Sequence, residues 1–120
     1  MDIEKHLNKC PLDSTVALFK NKWVIYILRD LFAGKSRFID FLKLNPGLSS
    51  KQLSTILLNM QNNNLIVKNK YPGNNTAYEL TNKGKSLNLI LYAIAVFTIE
   101  NNKISIDENI LIEYLGNILL

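Results

Sequence analysis

Between Ser50 and Asn62 the apolar residues Leu53, Ile56, Leu57 and Met60 fall at i, i+3, i+4 and i+7, the spacing of one helix face. At about 100° per residue, Lys51, Thr55, Leu58 and Asn62 point the opposite way, flanked by Gln52, Ser54 and Asn59. Ser49 or Ser50 opens this helix, and Asn64 suits the left-handed conformation that leaves it. Upstream, Trp23, Ile25, Ile27, Leu28, Leu31 and Phe32 predict a strongly apolar helix ending at Gly34. A preceding helix, capped by Asp13 or Ser14, carries Val16, Ala17 and Phe19, and residues 1–10 suit a short amphipathic helix through Ile3, Leu7 and Cys10. Ser36 is expected to cap a short helix with Phe38, Phe41 and Leu42 inward, which the turn Asn45-Pro46-Gly47 ends.

Downstream the period changes. Leu65–Tyr71 and Thr76–Leu80 read as two strands around the turn Pro72-Gly73-Asn74-Asn75. Thr81 then caps a long helix from Asn82 to about Asn101, with Leu87, Ile90, Leu91, Ile94, Ala95 and Thr98 on one side. Leu89, Tyr92, Val96, Phe97 and Ile99 leave little polar surface on the other. A last helix from Asp107 repeats Ile110/Leu111, Tyr114/Leu115 and Ile118/Leu119 every four residues. These apolar faces exceed what so short a chain can cover, and a second copy of the chain is the simplest cover. The alternative is that the two helices cover each other.

Composition narrows the class. A chain of 120 residues with 48% hydrophobic and 20% charged residues forms one small domain, 1–120, with a core. A lone cysteine excludes an intramolecular disulfide framework and a multi-cysteine zinc site. The acidic start, Asp2 and Glu4, does not read as an export signal, and the apolar stretch Leu87–Ile99 is too short for a membrane span. A cytoplasmic protein with no membrane association is expected.

The net charge of +4 is unevenly placed. Residues 35–85 hold eight basic and two acidic groups, whereas residues 86–120 hold one basic and four acidic groups. No Asp or Glu occurs from residue 41 to residue 78. Such a stretch suits an anionic polymer, although a merely solvated basic surface has the same composition.

Three helices, a turn, a polar-faced helix, a two-stranded hairpin and long helices describe a mainly α (α+β) fold, a winged helix-turn-helix. Residues 10–85 would form the DNA-binding core, and residues 1–20 and 86–120 the dimerisation helices. In such motifs the second helix of the turn enters the major groove with its N-terminal residues on base edges. Here those are Ser49, Ser50, Lys51, Gln52, Ser54 and Thr55, with Asn59 farther along. Gln pairs with adenine, Lys with guanine, and hydroxyls reach bases or phosphates. Lys68, Lys70, Asn74 and Asn75 in the hairpin complete the expected DNA-binding set.

The ordered residues Cys10-Pro11, Lys22-Trp23, Ile27-Leu28, Gly34, Arg37-Phe38, Pro46-Gly47-Leu48-Ser49, Lys51, Leu53, Leu57, Tyr78, Leu80-Thr81 and Gly84 closely resemble the HxlR-type branch of the MarR-like transcription regulators. The resemblance covers residues 8–98. It implies a homodimer that binds pseudo-palindromic operator DNA and regulates transcription, with Arg37 near backbone or minor groove and Lys51 on the recognition surface. Val16, Leu87, Leu91, Ile94, Thr98, Ile110, Leu111, Tyr114, Leu115 and Ile118 are the expected dimer contacts. Departures from the family pattern are Lys20-Asn21 where glycines are usual, Asn63-Asn64 before the first wing strand, a shorter wing, and Leu58 where many relatives have Arg.

In part of the family the cysteine at position 10 senses oxidants or electrophiles. Lys9 and a following helix start are surroundings that favour a reactive thiolate, while a cysteine packed in the dimer interface would be inert. His6, the single histidine, and Cys10 are too few for a metal site. No cofactor is implied. Asp30 and Asp40 have no evident acid/base partner, no phosphate loop appears, and an enzyme is not expected. The rival to a DNA reader is a winged-helix domain that docks another protein.

Overall fold

A computed structural model describes residues 3–6, 10–102 and 108–120. In chain order these form α1 (Ile3–His6), α2 (Pro11–Leu18), α3 (Lys22–Phe32), α4 (Phe38–Leu44), α5 (Ser50–Asn62), β1 (Ile66–Tyr71), β2 (Asn75–Leu80), α6 (Asn82–Lys85), α7 (Asn88–Asn102) and α8 (Glu108–Leu119). The mainly helical fold with one antiparallel hairpin is the winged helix-turn-helix that the pattern predicts. Leu7 and Asp107, used above for the ends of the first and last helices, lie outside the described residues.

The core forms where α3, α4 and α5 meet the base of the hairpin. Ile27, Leu28, Phe41, Leu53, Leu57, Met60, Leu65 and Ile66 are fully buried, and the stripe foreseen on α5 is buried throughout. Burial of each such side chain contributes about 1.5–3 kcal/mol, so this joint fixes the orientation of α5. Phe41 meets the Tyr78 ring edge-on with centroids 6.3 Å apart, tying α4 to β2. The hairpin register runs from Ile66 opposite Leu80 to Tyr71 opposite Asn75. Gly34 and Asn64 adopt left-handed φ of 92° and 59°, releasing the chain from α3 and α5 as expected.

Four local expectations need correction. The second helix starts at Pro11 rather than at Asp13 or Ser14: Cys10 is extended and Pro11 takes the first helical position, where no amide donor is needed. For the same reason Cys10 precedes α2 instead of ending the first helix. Arg37, not Ser36, is the N-cap of α4, because the Ser36 carbonyl accepts from the Tyr78 amide at 2.8 Å and stays outside the helix. The helix foreseen from Asn82 to Asn101 is two helices. At the break, Ser86 Oγ donates to the Asn82 carbonyl and the Leu87 amide bonds Gly84, three residues back, tightening the chain before α7 begins.

Gly84 lets this corner pack. A Cβ at this position would run into the Leu65 carbonyl oxygen, so α6 lies directly on the entry to β1. The Thr81 hydroxyl accepts from the Gly84 amide and donates to the Asn64 carbonyl, joining the end of the wing to the end of α5.

Candidate nucleic-acid interface

α5 is held by caps as well as by its buried stripe. Ser49 Oγ accepts from the Gln52 amide and Gln52 Oε1 accepts from the Ser49 amide, both at 3.0 Å. The Gln52 carbonyl oxygen is therefore occupied by the helix start and only its amino group is left to meet a base edge. Spacing alone predicts a bidentate adenine reader at this position. Ser49, Ser50, Lys51, Gln52, Ser54, Thr55 and Asn59 are all exposed, and Leu58 beside them is 56% exposed. The Thr55 hydroxyl donates to the Lys51 carbonyl at 3.2 Å, which leaves it able to act as an acceptor. The face is polar, acid-free and open, as a groove-reading helix requires.

The helix-turn-helix bend is fixed from inside by a network that sequence reasoning missed. Asp30 and Asn45 are 2% and 3% exposed, yet both are fully bonded. Asn45 Nδ2 donates to Asp30 Oδ2 and to the Phe41 carbonyl, each at 2.8 Å. Arg29 donates from Nε to Asp30 Oδ1 at 2.9 Å and from its terminal nitrogen to Asn45 Oδ1 at 3.1 Å. The guanidinium also lies 5.2 Å from the Tyr26 ring centroid. Asp30, an acid without an evident partner in the sequence, thus locks α3 to the turn that aims α5. The clue in the sequence is Asn45 before Pro46, which by itself reads only as a turn signal.

The wing is joined to the motif by Arg37. Its guanidinium donates to Asn75 Oδ1 at 3.1 Å, bringing two predicted contact residues together at the hairpin tip. Lys68 lies 5.9 Å from the Tyr78 ring centroid, while Lys70 and Asn74 are exposed nearer the tip. Glu79, the one acid in the hairpin, accepts from the Tyr71 hydroxyl at 2.6 Å and from Asn69 Nδ2 at 3.0 Å. That carboxylate raises the Tyr71 pKa, first by accepting its proton in a hydrogen bond and second by its charge.

The expected dimer residues divide. Leu87 and Leu91 are buried by their own chain, and Thr98, Leu111, Leu115 and Ile118 are half-buried. Val16, Ile94, Ile110 and Tyr114 are exposed, together with Leu89 and Phe97, which are 63% and 67% exposed. α7 and α8 do pack on each other, and Asn88 Nδ2 closes the α8 terminus by donating to the Leu119 carbonyl at 2.7 Å. In the first two apolar pairs of α8 the second member turns inward and the first, Ile110 or Tyr114, stays out, whereas Ile118 and Leu119 both pack inward. Cys10 is half-exposed. Among the described residues no group of His, Cys, Asp and Glu is arranged to hold a metal, and no helix is long and apolar enough to cross a membrane.

The comparisons with known proteins fit this geometry. An HTH-type transcriptional regulator of Synechocystis sp., sll1512, is 34% identical over 87 residues, covering 71% of this chain and 64% of that protein. The chain thus spans less than two thirds of that relative's length. Among solved structures, the candidate transcription factor PA1607 superposes with a TM-score of 0.75 at 27% identity, covering 87% of this chain and 73% of the other. The redox regulator HypR in its reduced form shares the fold, with a TM-score of 0.72 at 21% identity over 78% of this chain and 94% of its own. Residues 18–105 match the HxlR-like helix-turn-helix family, a span that takes in α3, α4, α5, the wing and α7. The chain belongs to the HxlR-like helix-turn-helix family of transcriptional regulators.

Proposed function

We propose that the chain is a sequence-specific DNA-binding transcriptional regulator that acts in the cytoplasm, without catalytic activity, as a homodimer on a pseudo-palindromic operator. The acid-free exposed face of α5, capped at Ser49 and aimed by the buried Asp30–Asn45–Arg29 network, carries this reading. Lys51, Ser54 and Thr55 read base edges, helped by the Gln52 amino group and Asn59. Ser49, Ser50, Arg37, Lys68, Lys70, Asn74 and Asn75 hold the sugar–phosphate backbone. Leu58 adds an apolar contact of the kind that a thymine methyl accepts. Two copies joined through Val16, Ile94, Ile110 and Tyr114 would place their α5 helices about one DNA turn apart, ~34 Å.

Selection of duplexes bound from a random library tests the whole reading. An inverted repeat is expected, with log K falling steeply against log[salt] as phosphate counterions are released. Recovery of unrelated sequences, or affinity indifferent to salt, would favour a domain that docks proteins. Replacing Lys51 by Ala should cost about 1–3 kcal/mol of discrimination at one base pair while leaving the thermal midpoint in place.

Oxidant control is a second reading, favoured by the half-exposed position of Cys10 at the start of α2, a helix on which Leu12 and Val16 are exposed. Two Cys10 thiols, one from each subunit, would give up two electrons and two protons to an oxidant and form an intersubunit disulfide. Diamide should then alter operator affinity of the unmodified protein and leave Cys10→Ser unaffected. An unmodified protein indifferent to diamide rules this control out.

A further inference from the structure

Beside α5 the surface does not end at the recognition face. A cleft runs from Lys51, Thr55 and Asn59 on α5 across to Asn21 and Val24 at the start of α3. A second cleft continues it along Lys20, Asn21, Asn59 and Asn63. Asn59 lines both, so the α2–α3 bend and the polar face of α5 form one continuous surface, and neither cleft is lined by an acidic side chain. Lys20 and Asn21 line this surface and are exposed, and Lys22, the next residue in the chain, is exposed as well.

The bend is ordered by its own contacts. Asn21 Oδ1 accepts from the Trp23 amide at 3.0 Å, which uses the acceptor of that side chain and leaves its amino group as a free donor. Lys22 Nζ lies 5.0 Å from the Trp23 ring centroid, so its charge is held beside that ring at the exposed start of α3. Two ammonium groups and one amide donor, with no acceptor and no acid among them, match an anionic backbone and offer nothing to discriminate base edges.

We infer that Lys20, Asn21 and Lys22 form a second phosphate-binding edge that grips the DNA backbone across the cleft from the recognition helix. This rests on the proposed DNA reading of α5 and adds to it a contact outside the helix-turn-helix and wing. The contact is made by the side chains, and it lengthens the footprint on each half-site without adding sequence preference.

The test compares the full chain with Lys20→Gln/Lys22→Gln and with Lys20→Arg/Lys22→Arg, on the selected operator and on an unrelated duplex, across a salt series. For the glutamine variant the slope of log K against log[salt] should shrink by about 0.9 for each phosphate no longer neutralised. Affinity should fall by the same factor on both duplexes, leaving their ratio unchanged, and the arginine variant should keep the original slope. Unchanged slope and affinity in the glutamine variant would overturn the inference while leaving the α5 reading intact, as would a loss confined to the operator. An unmodified protein that binds no duplex overturns both readings together.

Discussion

The two ends of the molecule solve the problem of covering apolar surface in opposite ways. Around α3, α4 and α5 the chain buries its large side chains and bonds its buried polar groups, so that Asp30 and Asn45 lie almost sealed yet fully partnered. Around α2, α7 and α8 it leaves Leu12, Val16, Leu89, Phe97, Ile110 and Tyr114 mainly exposed. α2 buries no residue fully. The first region is complete as a single chain and serves as a rigid mount for α5. The second leaves apolar side chains in solvent, the surface that the proposed dimer would cover, and the charge follows the same division, basic in the mount and acidic in the tail.

The sharpest way to break this contrast is to open the mount. Asn45→Ala would remove a donor to the Asp30 carboxylate and to the Phe41 carbonyl, leaving a buried acid with Arg29 alone. A loss of about 3 kcal/mol is expected, read as a lower urea midpoint. Val16→Ser, on the exposed side of α2, should change the stability of the isolated monomer by less than about 0.5 kcal/mol. Equal losses from the two substitutions would mean that both regions are completed within one chain.

The exposed tail answers to a different measurement. Phe97→Glu combined with Ile94→Glu places charge on two exposed residues of α7. The pair should weaken self-association at least tenfold, which is about 1.4 kcal/mol, in sedimentation at micromolar concentration. Operator affinity should fall with it, because one half-site alone neutralises fewer phosphates. A double variant that sediments as the unmodified protein does would move the partner surface elsewhere.

What sequence reading reached, and where it stopped, follows the same division by range. The buried stripe of α5, the left-handed Asn64, the Thr81 cap and the hairpin are local patterns, each set by neighbours within a few positions. The Asp30–Asn45 bond spans 15 residues and the Arg37–Asn75 bond 38, and no periodicity encodes such pairs. The same holds for Ser36, a good cap by type, whose carbonyl is claimed by Tyr78 from the far side of the wing. Leu87 and Leu91 read as dimer residues in the sequence because the pattern shows an apolar helix without showing which side its own chain reaches first.

Within the mount itself, the caps of α5 allow a finer test. Ser49→Ala removes the acceptor for the Gln52 amide and should cost about 1 kcal/mol, seen as a modest drop in thermal midpoint. Gln52→Ala should also lower the midpoint, since its carbonyl oxygen holds the Ser49 amide. A Gln52 variant that lost DNA affinity with its midpoint unchanged would make that residue a base reader first and a cap second.

The smallest expected effect lies in the wing, the part of the mount most open to solvent. Tyr71 donates to Glu79, and its folded pKa is raised above the ordinary 10.0, chiefly because the proton is held in that hydrogen bond and secondarily because a phenolate would face a carboxylate. A raised pKa means that the folded wing retains the proton more strongly than an unfolded chain does. The contribution is therefore fully present below about pH 10 and is lost as pH rises through the raised value. Subtracting the phenolate absorbance of Tyr71→Phe from that of the unmodified protein isolates this one titration among the five tyrosines. It should lie on the alkaline side of an unhindered tyrosine and return towards the ordinary value in Glu79→Gln. A Tyr71 that already titrates at the ordinary pH in the unmodified protein would show that the hairpin tip is not braced by Glu79, leaving Arg37 and Asn75 as its attachment to the mount.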